Sequence, residues 1–154
     1  MKGCCLSVFF LLLMACRPSV VFEQYKNVPD ETWNRYQVME FATLIPDSGQ
    51  YQVNVCLRHT TDYEMANLWC FVSLRSSGAL QLRDTLNLKI AEADGRWLGH
   101  GGTIKTLEQP IRHNPLILPK GNVIFRIGQA MKLEDIKGVK DVGIVIEKVH
   151  VINN

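Results

Sequence analysis

The sequence lacks the residue patterns that most often reveal an enzyme. It has no His-Glu-x-x-His, no Gly-x-Ser-x-Gly and no Cys-x-x-Cys, the spacings of metalloproteases, serine hydrolases and dithiol or zinc sites. No pair of carboxylates stands out as an acid–base couple. We therefore expect no catalytic residue, no metal and no cofactor. The histidines are not at metal-ligand spacing, and we expect them on the surface or in loops: His59, His100, His113 and His150.

An excess of charge and a long hydrophobic run are also missing. The net charge is only +2 and no basic run occurs, so there is no electrostatic reason to expect a nucleic-acid partner. The apolar stretch from Cys4 to Met14 is too short for a permanent transmembrane helix, which needs about 20 residues. A chain of 154 residues suits one domain with a single core.

The apolar stretch is typical of a secretory signal, because a basic start, Met1-Lys2, precedes it. It ends in Leu13-Met14-Ala15-Cys16, which resembles the lipobox of bacterial lipoproteins. In a lipobox a small residue precedes the cleaved bond, and the cysteine thiol takes a diacylglyceryl group. We therefore expect a signal peptide over 1–15 and a lipidated Cys16 that anchors the protein. An ordinary signal and a short buried helix are the alternatives, but no helix cap or polar face is visible.

Only two cysteines remain after Cys16, namely Cys56 and Cys70. They could form a disulfide in an oxidising compartment. The sequence, however, gives no reason to place their Cβ atoms within about 4.5 Å of each other. We favour two unpaired thiols packed as small apolar groups, with Cys70 buried and Cys56 among polar residues.

The rest of the sequence predicts short strands separated by turns. Apolar and polar residues alternate over 51–58, which predicts one buried and one wet face. Residues 68–74 are largely apolar and predict a central strand buried on both faces. Asp84 interrupts the alternation over 80–90, which indicates a bend or bulge, and one or two helical turns are predicted over 129–137. Further strands are predicted at 20–22, 40–45, 123–127 and 142–151.

Eight or nine short strands with little helix indicate an all-β protein. A two-sheet, jelly-roll-like β-sandwich over residues 20–154 is favoured over a closed barrel. Residues 16–19 would then be the lipidated cysteine and a short linker.

The aromatic residues offer the remaining candidates for a site. Tryptophans and tyrosines could line a platform for a sugar or a protein, or they could fill the core. For Trp69 and Trp97 we expect core packing, because burying a large aromatic side chain is strongly stabilising.

Several ordered segments resemble the gliding-motility lipoprotein H (GldH) family of Bacteroidota. With the lipobox, this resemblance spans nearly the whole chain. The segments are Arg58-His59-Thr60, Asn67-Leu68-Trp69, Gly95-Arg96-Trp97-Leu98-Gly99, Gln129-Ala130-Met131-Lys132 and Gly138-Val139-Lys140-Asp141-Val142-Gly143.

The resemblance implies a membrane-anchored, non-enzymatic accessory of the gliding machinery, which in that phylum is linked to type IX secretion. Its partners would be membrane lipid, through Cys16, and other envelope proteins. Arg17-Pro18-Ser19 lacks the acidic run that resembles a surface-export signal, which favours the periplasmic side of the outer membrane. A carbohydrate-binding lipoprotein is the main alternative, and a hydrolase is a third.

For a protein interface we select Arg58, Trp69, Arg96, Trp97 and the glycine-rich bend over 99–102. Arginine and tryptophan are enriched at interface hot spots, and loops carry function disproportionately. The alternative for Arg58 and Arg96 is that they only complete hydrogen bonds at strand ends.

Overall fold

The computed structural model describes residues 19–149. The predicted signal peptide over 1–15, the predicted lipidation site Cys16 and the last residues, 150–154, lie outside the described residues. Among residues 19–149, none of the helical segments has the length and apolar character that crossing a membrane requires.

The described residues form eleven strands and one short 3-10 turn, Pro29–Glu31. Strands prevail because the sequence contains alternating segments rich in valine and isoleucine. Such residues favour a pleated, half-buried surface. The strands are β1 (Ser19–Asn27), β2 (Thr32–Asn34), β3 (Met39–Ile45), β4 (Gly49–His59), β5 (Asn67–Ser76), β6 (Ala79–Lys89), β7 (Lys105–Pro110), β8 (Leu116–Leu118), β9 (Gly121–Gln129), β10 (Asp135–Lys137) and β11 (Val139–Lys148).

The long strands form two antiparallel sheets. Sheet I has the order β1-β11-β4-β7, and β8 pairs with the start of β4 beside β7. Sheet II has the order β3-β9-β5-β6, and β2 and β10 form a separate two-stranded ribbon. This arrangement confirms the predicted all-β sandwich, while its jelly-roll character stays a prediction.

The core lies between the two sheets and is built from alternate residues of each strand. Burial of its apolar surface stabilises the fold at about 25 cal/mol per Å². Tyr51 is buried there, and its hydroxyl donates a 2.7 Å hydrogen bond to the Asp47 carbonyl. The largest buried side chains also include Trp33, Phe41, Leu57, Phe125 and Ile127.

The sandwich has two distinct ends. Ser19 begins β1 at one end, which we call the Ser19 end, and it pairs with Lys148 of β11. The turn from β3 to β4 lies at the same end, because Lys148 makes a 3.3 Å ion pair with Asp47. The opposite end, the His59 end, is where β4 finishes and β11 starts. Segments of the family resemblance meet there, since the Thr60 amide donates to the Gly138 carbonyl.

The predicted helical turns over 129–137 are wrong. Residues Asp135–Lys137 form β10 instead, paired with β2. The Gln129 side chain explains the difference: its amide donates to the carbonyls of Leu133 and Glu134, and its oxygen accepts from the Met131 amide. These local bonds satisfy backbone groups that would otherwise bond within a helix.

The prediction that residues 68–74 are buried on both faces is also wrong. Only alternate residues of β5 face the core, and the outward side chains of Trp69 and Phe71 are 41% and 59% exposed. Pairing is regular through Asp84, and the register shift of β5 against β6 lies between Leu74 and Arg75. Within residues 19–149, no further layer covers the outer face of sheet II.

The two cysteines of the domain are free and buried, as predicted for the pair. Cys70 faces the core from sheet II. Cys56 was expected among polar residues on a wet face, yet it is fully buried. It lies on the outer side of β4, where it pairs with Gly143 of β11 and Glu108 of β7.

Candidate binding surface

The outer face of sheet II contains a shallow groove that crosses its strands. One row of paired residues consists of Thr85, Phe71 and Gly128. The next row towards the Ser19 end consists of Arg83, Ser73, Arg126 and Glu40. The concavity has a volume of about 1030 Å³. We call it the arginine–aromatic groove and define it by Tyr36, Phe71, Arg75, Arg83, Arg126 and Gly128.

One wall of the groove is the loop between β2 and β3. The Trp33 indole N–H donates a 2.9 Å bond to the Gln37 carbonyl, so a fully buried ring fixes this loop. The Arg35 guanidinium donates a 2.7 Å bond to the Met131 carbonyl. Tyr36 is nevertheless 78% exposed, and its ring is therefore held on a fixed backbone without being covered.

Gly128 forms the floor of the groove. It lies between Phe71 and the exposed Val38, and a Cβ atom built on it would be 3.7 Å from Val38 Cγ2. This is an ordinary van der Waals distance, so a methyl group fits at this position, although Gly128 itself is buried. The missing side chain leaves a depression between two apolar groups, where a ligand group can lie.

The groove carries more positive charge than its carboxylates balance. Arg126 pairs with Glu40 at 2.7 Å, and the other nearby carboxylate, Asp84, pairs with Arg112 at 3.0 Å. Within residues 19–149, Arg35, Arg75 and Arg83 have no carboxylate within ion-pair distance. Three guanidinium groups are thus available to an anionic ligand.

The outer face of sheet I is built differently. The Arg58 guanidinium lies 3.9 Å from the centre of the Tyr25 ring and 3.7 Å from the Asp141 carboxylate. Tyr25 extends across Gly143, and its hydroxyl lies next to the Cys56 thiol. Burial raises the pKa of Cys56 to about 12, so this thiol is a poor nucleophile at neutral pH.

The four residues selected for an interface are not brought together. Trp69 borders the groove at the His59 end of sheet II, and its exposure contradicts the expected core packing. Arg58 lies on the opposite face, in sheet I. Arg96 is exposed in the turn after Asp94, where its amide donates to the Asp94 carboxylate.

Trp97 packs at the edge of the core against His59, with ring centres 4.9 Å apart. The prediction that His59 lies on the surface is wrong, because its ring is fully buried between Trp97 and Tyr63. Its Nδ1 is 2.9 Å from the Thr60 carbonyl, while Nε2 has no hydrogen-bond partner among the described residues. Burial lowers the pKa of His59, which favours the neutral form of the ring.

The bend over 99–102 is a tight structural turn. The amides of His100 and Thr106 each donate to the other's carbonyl. Gly101 has a φ of 123°, and a Cβ there would collide with the Ile104 carbonyl. Lys105 closes the turn through a 2.7 Å bond from its ammonium to the Gly101 carbonyl. Glycine is therefore needed here for backbone geometry.

The groove residues were not found by sequence reasoning, although a signal existed. Phe71, Ser73 and Arg75 share one face of β5 with Trp69 by their spacing of two. The prediction that residues 68–74 are buried on both faces left no exposed face of β5 as a candidate site. Strand order, which places Arg83 and Arg126 on either side of β5, is not visible in the sequence.

Known proteins resemble this chain over almost its whole length. The family model described as GldH lipoprotein matches residues 20–146. The gliding motility lipoprotein GldH of Flavobacterium johnsoniae is 31% identical over 147 residues, which cover 90% of this chain and 91% of that protein. The gliding motility lipoprotein GldH homolog of Christiangramia forsetii is 25% identical over 147 residues, which cover 90% of each.

A solved structure of a family 35 carbohydrate binding module from Clostridium thermocellum matches 70% of this chain and 68% of its own. The identity is 16% and the TM-score 0.39, and this likeness is too distant to bear on function.

Proposed function

The chain belongs to the GldH lipoprotein family, and from that premise we propose that it is a lipid-anchored, non-enzymatic accessory of the gliding machinery linked to type IX secretion. Cys16 carries the lipid in this proposal, and the sandwich faces the periplasm from the outer membrane. Its task is to hold other envelope proteins at the membrane.

The observation that best supports a binding role is the open outer face of sheet II. Monomeric proteins rarely leave aromatic and aliphatic groups exposed together without a use for them. Here Tyr36, Val38 and Phe71 surround a groove whose backbone is fixed by buried Trp33. A rigid scaffold that presents uncovered aromatic and arginine side chains has the composition of a protein interface.

The position of the chain start agrees with anchoring at one end. Cys16 precedes Ser19 by three residues, a length of chain that spans at most about 11 Å. Ser19 begins β1 at the end opposite to His59. A lipid on Cys16 therefore keeps the Ser19 end near the bilayer and the segments around His59 away from it.

The proposal is tested by deletion and complementation in a gliding relative. Deleting the relative's own copy of the gene should abolish colony spreading and alter the profile of secreted proteins. The intact gene for the protein described here should restore both. Cys16→Ala should fail to restore them and should leave the membrane fraction. Cys5→Ala, within the predicted signal, is the matched control and should behave as wild type. Normal spreading and secretion after deletion would contradict the proposal.

Carbohydrate binding is a second candidate, favoured by three exposed aromatic rings on one face: Tyr36, Trp69 and Phe71. Aromatic faces can stack on sugars, and no further layer of the described residues covers these rings. A glycan array probed with the intact lipoprotein tests it, with Phe71→Ala as the variant that should lose any signal. An array without binding would remove this candidate.

A further inference from the structure

We propose that the arginine–aromatic groove binds an acidic segment of another envelope protein. The inference rests on the proposed function, which requires a partner without specifying its chemistry. The groove supplies that chemistry, since apolar groups flank its floor and guanidinium groups lie in the adjacent row. Phe71 and Val38 are exposed on either side of Gly128, and Arg83 and Arg126 lie in the next row.

Charge complementarity selects an acidic partner. The whole chain is close to neutral, with a net charge of +2, yet three arginines around this groove lack a carboxylate partner in the part of the chain that the structure describes. Two of them, Arg35 and Arg75, donate to the backbone carbonyls of Met131 and Gly78. These neutral acceptors orient the guanidinium groups without cancelling their charge. Carboxylates can then bind them in bidentate fashion.

The shape of the groove favours a protein segment. Its volume of about 1030 Å³ lies at the upper end for small-molecule sites. The floor is apolar and the rim is cationic, as in interfaces where aromatic and arginine anchors are surrounded by polar contacts. A segment that places an apolar side chain over Gly128 and carboxylates beside Arg83 and Arg35 satisfies both features.

The orientation of the domain argues against the bilayer as the occupant. Gly128 is seven residues from Gly121, the first residue of β9 at the Ser19 end, which at about 3.3 Å per residue is on the order of 20 Å. A short link to Cys16 holds the Ser19 end at the membrane. The groove then faces sideways, towards neighbouring proteins.

Site-specific photocrosslinking tests the occupant directly. Thr85, exposed beside Phe71, is replaced by benzoylphenylalanine in the full-length lipoprotein in a Bacteroidota host that lacks its own copy. The same replacement at Glu23, exposed on the outer face of sheet I, is the matched control. We expect position 85 alone to crosslink to a protein segment with an excess of Asp and Glu. Crosslinks only to lipid, to glycan, to a second copy of this chain or to a segment without that excess would overturn the proposal, as would no crosslink.

Two further variants, each made in the protein that carries benzoylphenylalanine at position 85, separate the effect of charge from that of shape. Arg83→Glu reverses one charge, and Gly128→Val fills the floor without changing charge. Each should lower the crosslink yield on the order of tenfold. Lys137→Glu, an equal charge change on exposed β10 outside the groove, should leave the yield unchanged. An equal loss with Lys137→Glu, or no loss with the other two, would overturn the proposal.

The folded state is checked by the melting temperature, which should change little because Arg83 lacks a side-chain partner in the described residues and a Cβ atom at Gly128 meets Val38 Cγ2 at an ordinary 3.7 Å. Failure of the deletion test with an intact acidic crosslink would reject the gliding role and keep the groove. We do not expect Arg83→Glu and Gly128→Val to lose the crosslink and still restore gliding. That result would mean that the groove serves no function in gliding.

Discussion

On the outer face of sheet I, Arg58 lies over the Tyr25 ring at 3.9 Å and beside Asp141 at 3.7 Å. On the outer face of sheet II, Arg83 has no such partner in the described residues, and Phe71 is left 59% exposed. Both faces combine arginine with aromatic rings on one sandwich. They differ in whether the protein's own residues occupy the interactions that these side chains can make.

The contrast extends to the glycine at the centre of each face. Gly143 of β11 lies beneath the Tyr25 ring, and a Cβ atom there would be 2.6 Å from Tyr25 Cδ1. Gly128 of β9 is also buried, but a Cβ atom there would be 3.7 Å from Val38 Cγ2, an ordinary contact. The first glycine permits an internal contact, and the second leaves a depression that an external group can fill. Sheet I thus uses its outer face for stability, whereas sheet II keeps its outer face available.

The largest expected effect is the difference in the free energy of unfolding between alanine variants at Gly143 and at Gly128. Gly143→Ala should lower the free energy of unfolding by about 2 kcal/mol, because the new methyl group displaces the Tyr25 ring from its packed position. Gly128→Ala should leave it unchanged or raise it by up to about 1 kcal/mol, since the unfolded chain loses conformational freedom. Chemical denaturation of the purified lipoprotein measures both. Similar losses in the two variants would abolish the distinction between the faces.

Removing the tyrosine from each face should give the next largest effect. Tyr25→Ala should lower the free energy of unfolding by about 1–2 kcal/mol, through lost packing and a lost cation–π contact. It should also uncover Cys56 and make it reactive towards iodoacetamide. Tyr36→Ala should change stability by less than about 0.5 kcal/mol, as expected for an exposed side chain, and both cysteines should stay protected.

The alkylation is followed by intact-mass analysis, with Cys70 as the internal reference because it faces the core. Equal protection of Cys56 in both tyrosine variants would show that Tyr25 does not cover the thiol.

A smaller difference is expected for the arginines. Arg58→Ala should cost about 0.5–1 kcal/mol, mainly through the loss of the ring contact, because its ion pair with Asp141 is partly exposed to solvent and screened. Arg83→Ala should change the free energy of unfolding by less than about 0.5 kcal/mol. Thermal denaturation of the two variants side by side measures the difference. A larger loss from Arg83→Ala would mean that the groove arginine is needed for folding.

The inner half of this architecture was predictable from the sequence, because burial imposes a period of two. The alternation of Tyr51, Val53, Val55 and Leu57 predicted β4 and its buried face. Packing between the two sheets favours this alternation directly, because it buries the apolar face of each strand. The all-β class could therefore be derived without knowledge of the strand order.

The outer faces were not predictable to the same extent. Trp69 and Phe71 are apolar, and the sequence alone does not show whether a second layer covers them. Cys56 alternates with polar residues, and the Tyr25 hydroxyl beside its thiol comes from about thirty positions away in the sequence and two strands away in sheet I. His59 is buried between Tyr63, a near neighbour in sequence, and Trp97, which is distant in the chain. Long-range strand order decides these cases, and no local propensity encodes it.

The smallest expected effect concerns Glu147, on the outer face of sheet I. Burial, with a further contribution from the nearby Glu108 carboxylate, raises the pKa of Glu147. The folded protein therefore binds this proton more tightly than the unfolded chain does. That contribution to stability is complete below the unfolded pKa and is lost as the pH rises through the folded pKa. Glu147→Gln should consequently raise the free energy of unfolding at pH 7 by a few tenths of a kcal/mol.

The gain from Glu147→Gln should disappear as the pH falls below the pKa of Glu147, because the wild-type carboxyl is then also neutral. It should also shrink when Glu108→Gln is already present, since the two sites are coupled through their charges. Denaturation curves at pH 7 and pH 4 for the single and double variants provide the measurement. A gain that persists undiminished at pH 4 would place its origin in packing. Repulsion between the Glu147 and Glu108 carboxylates would then no longer count as a difference between sheet I and sheet II.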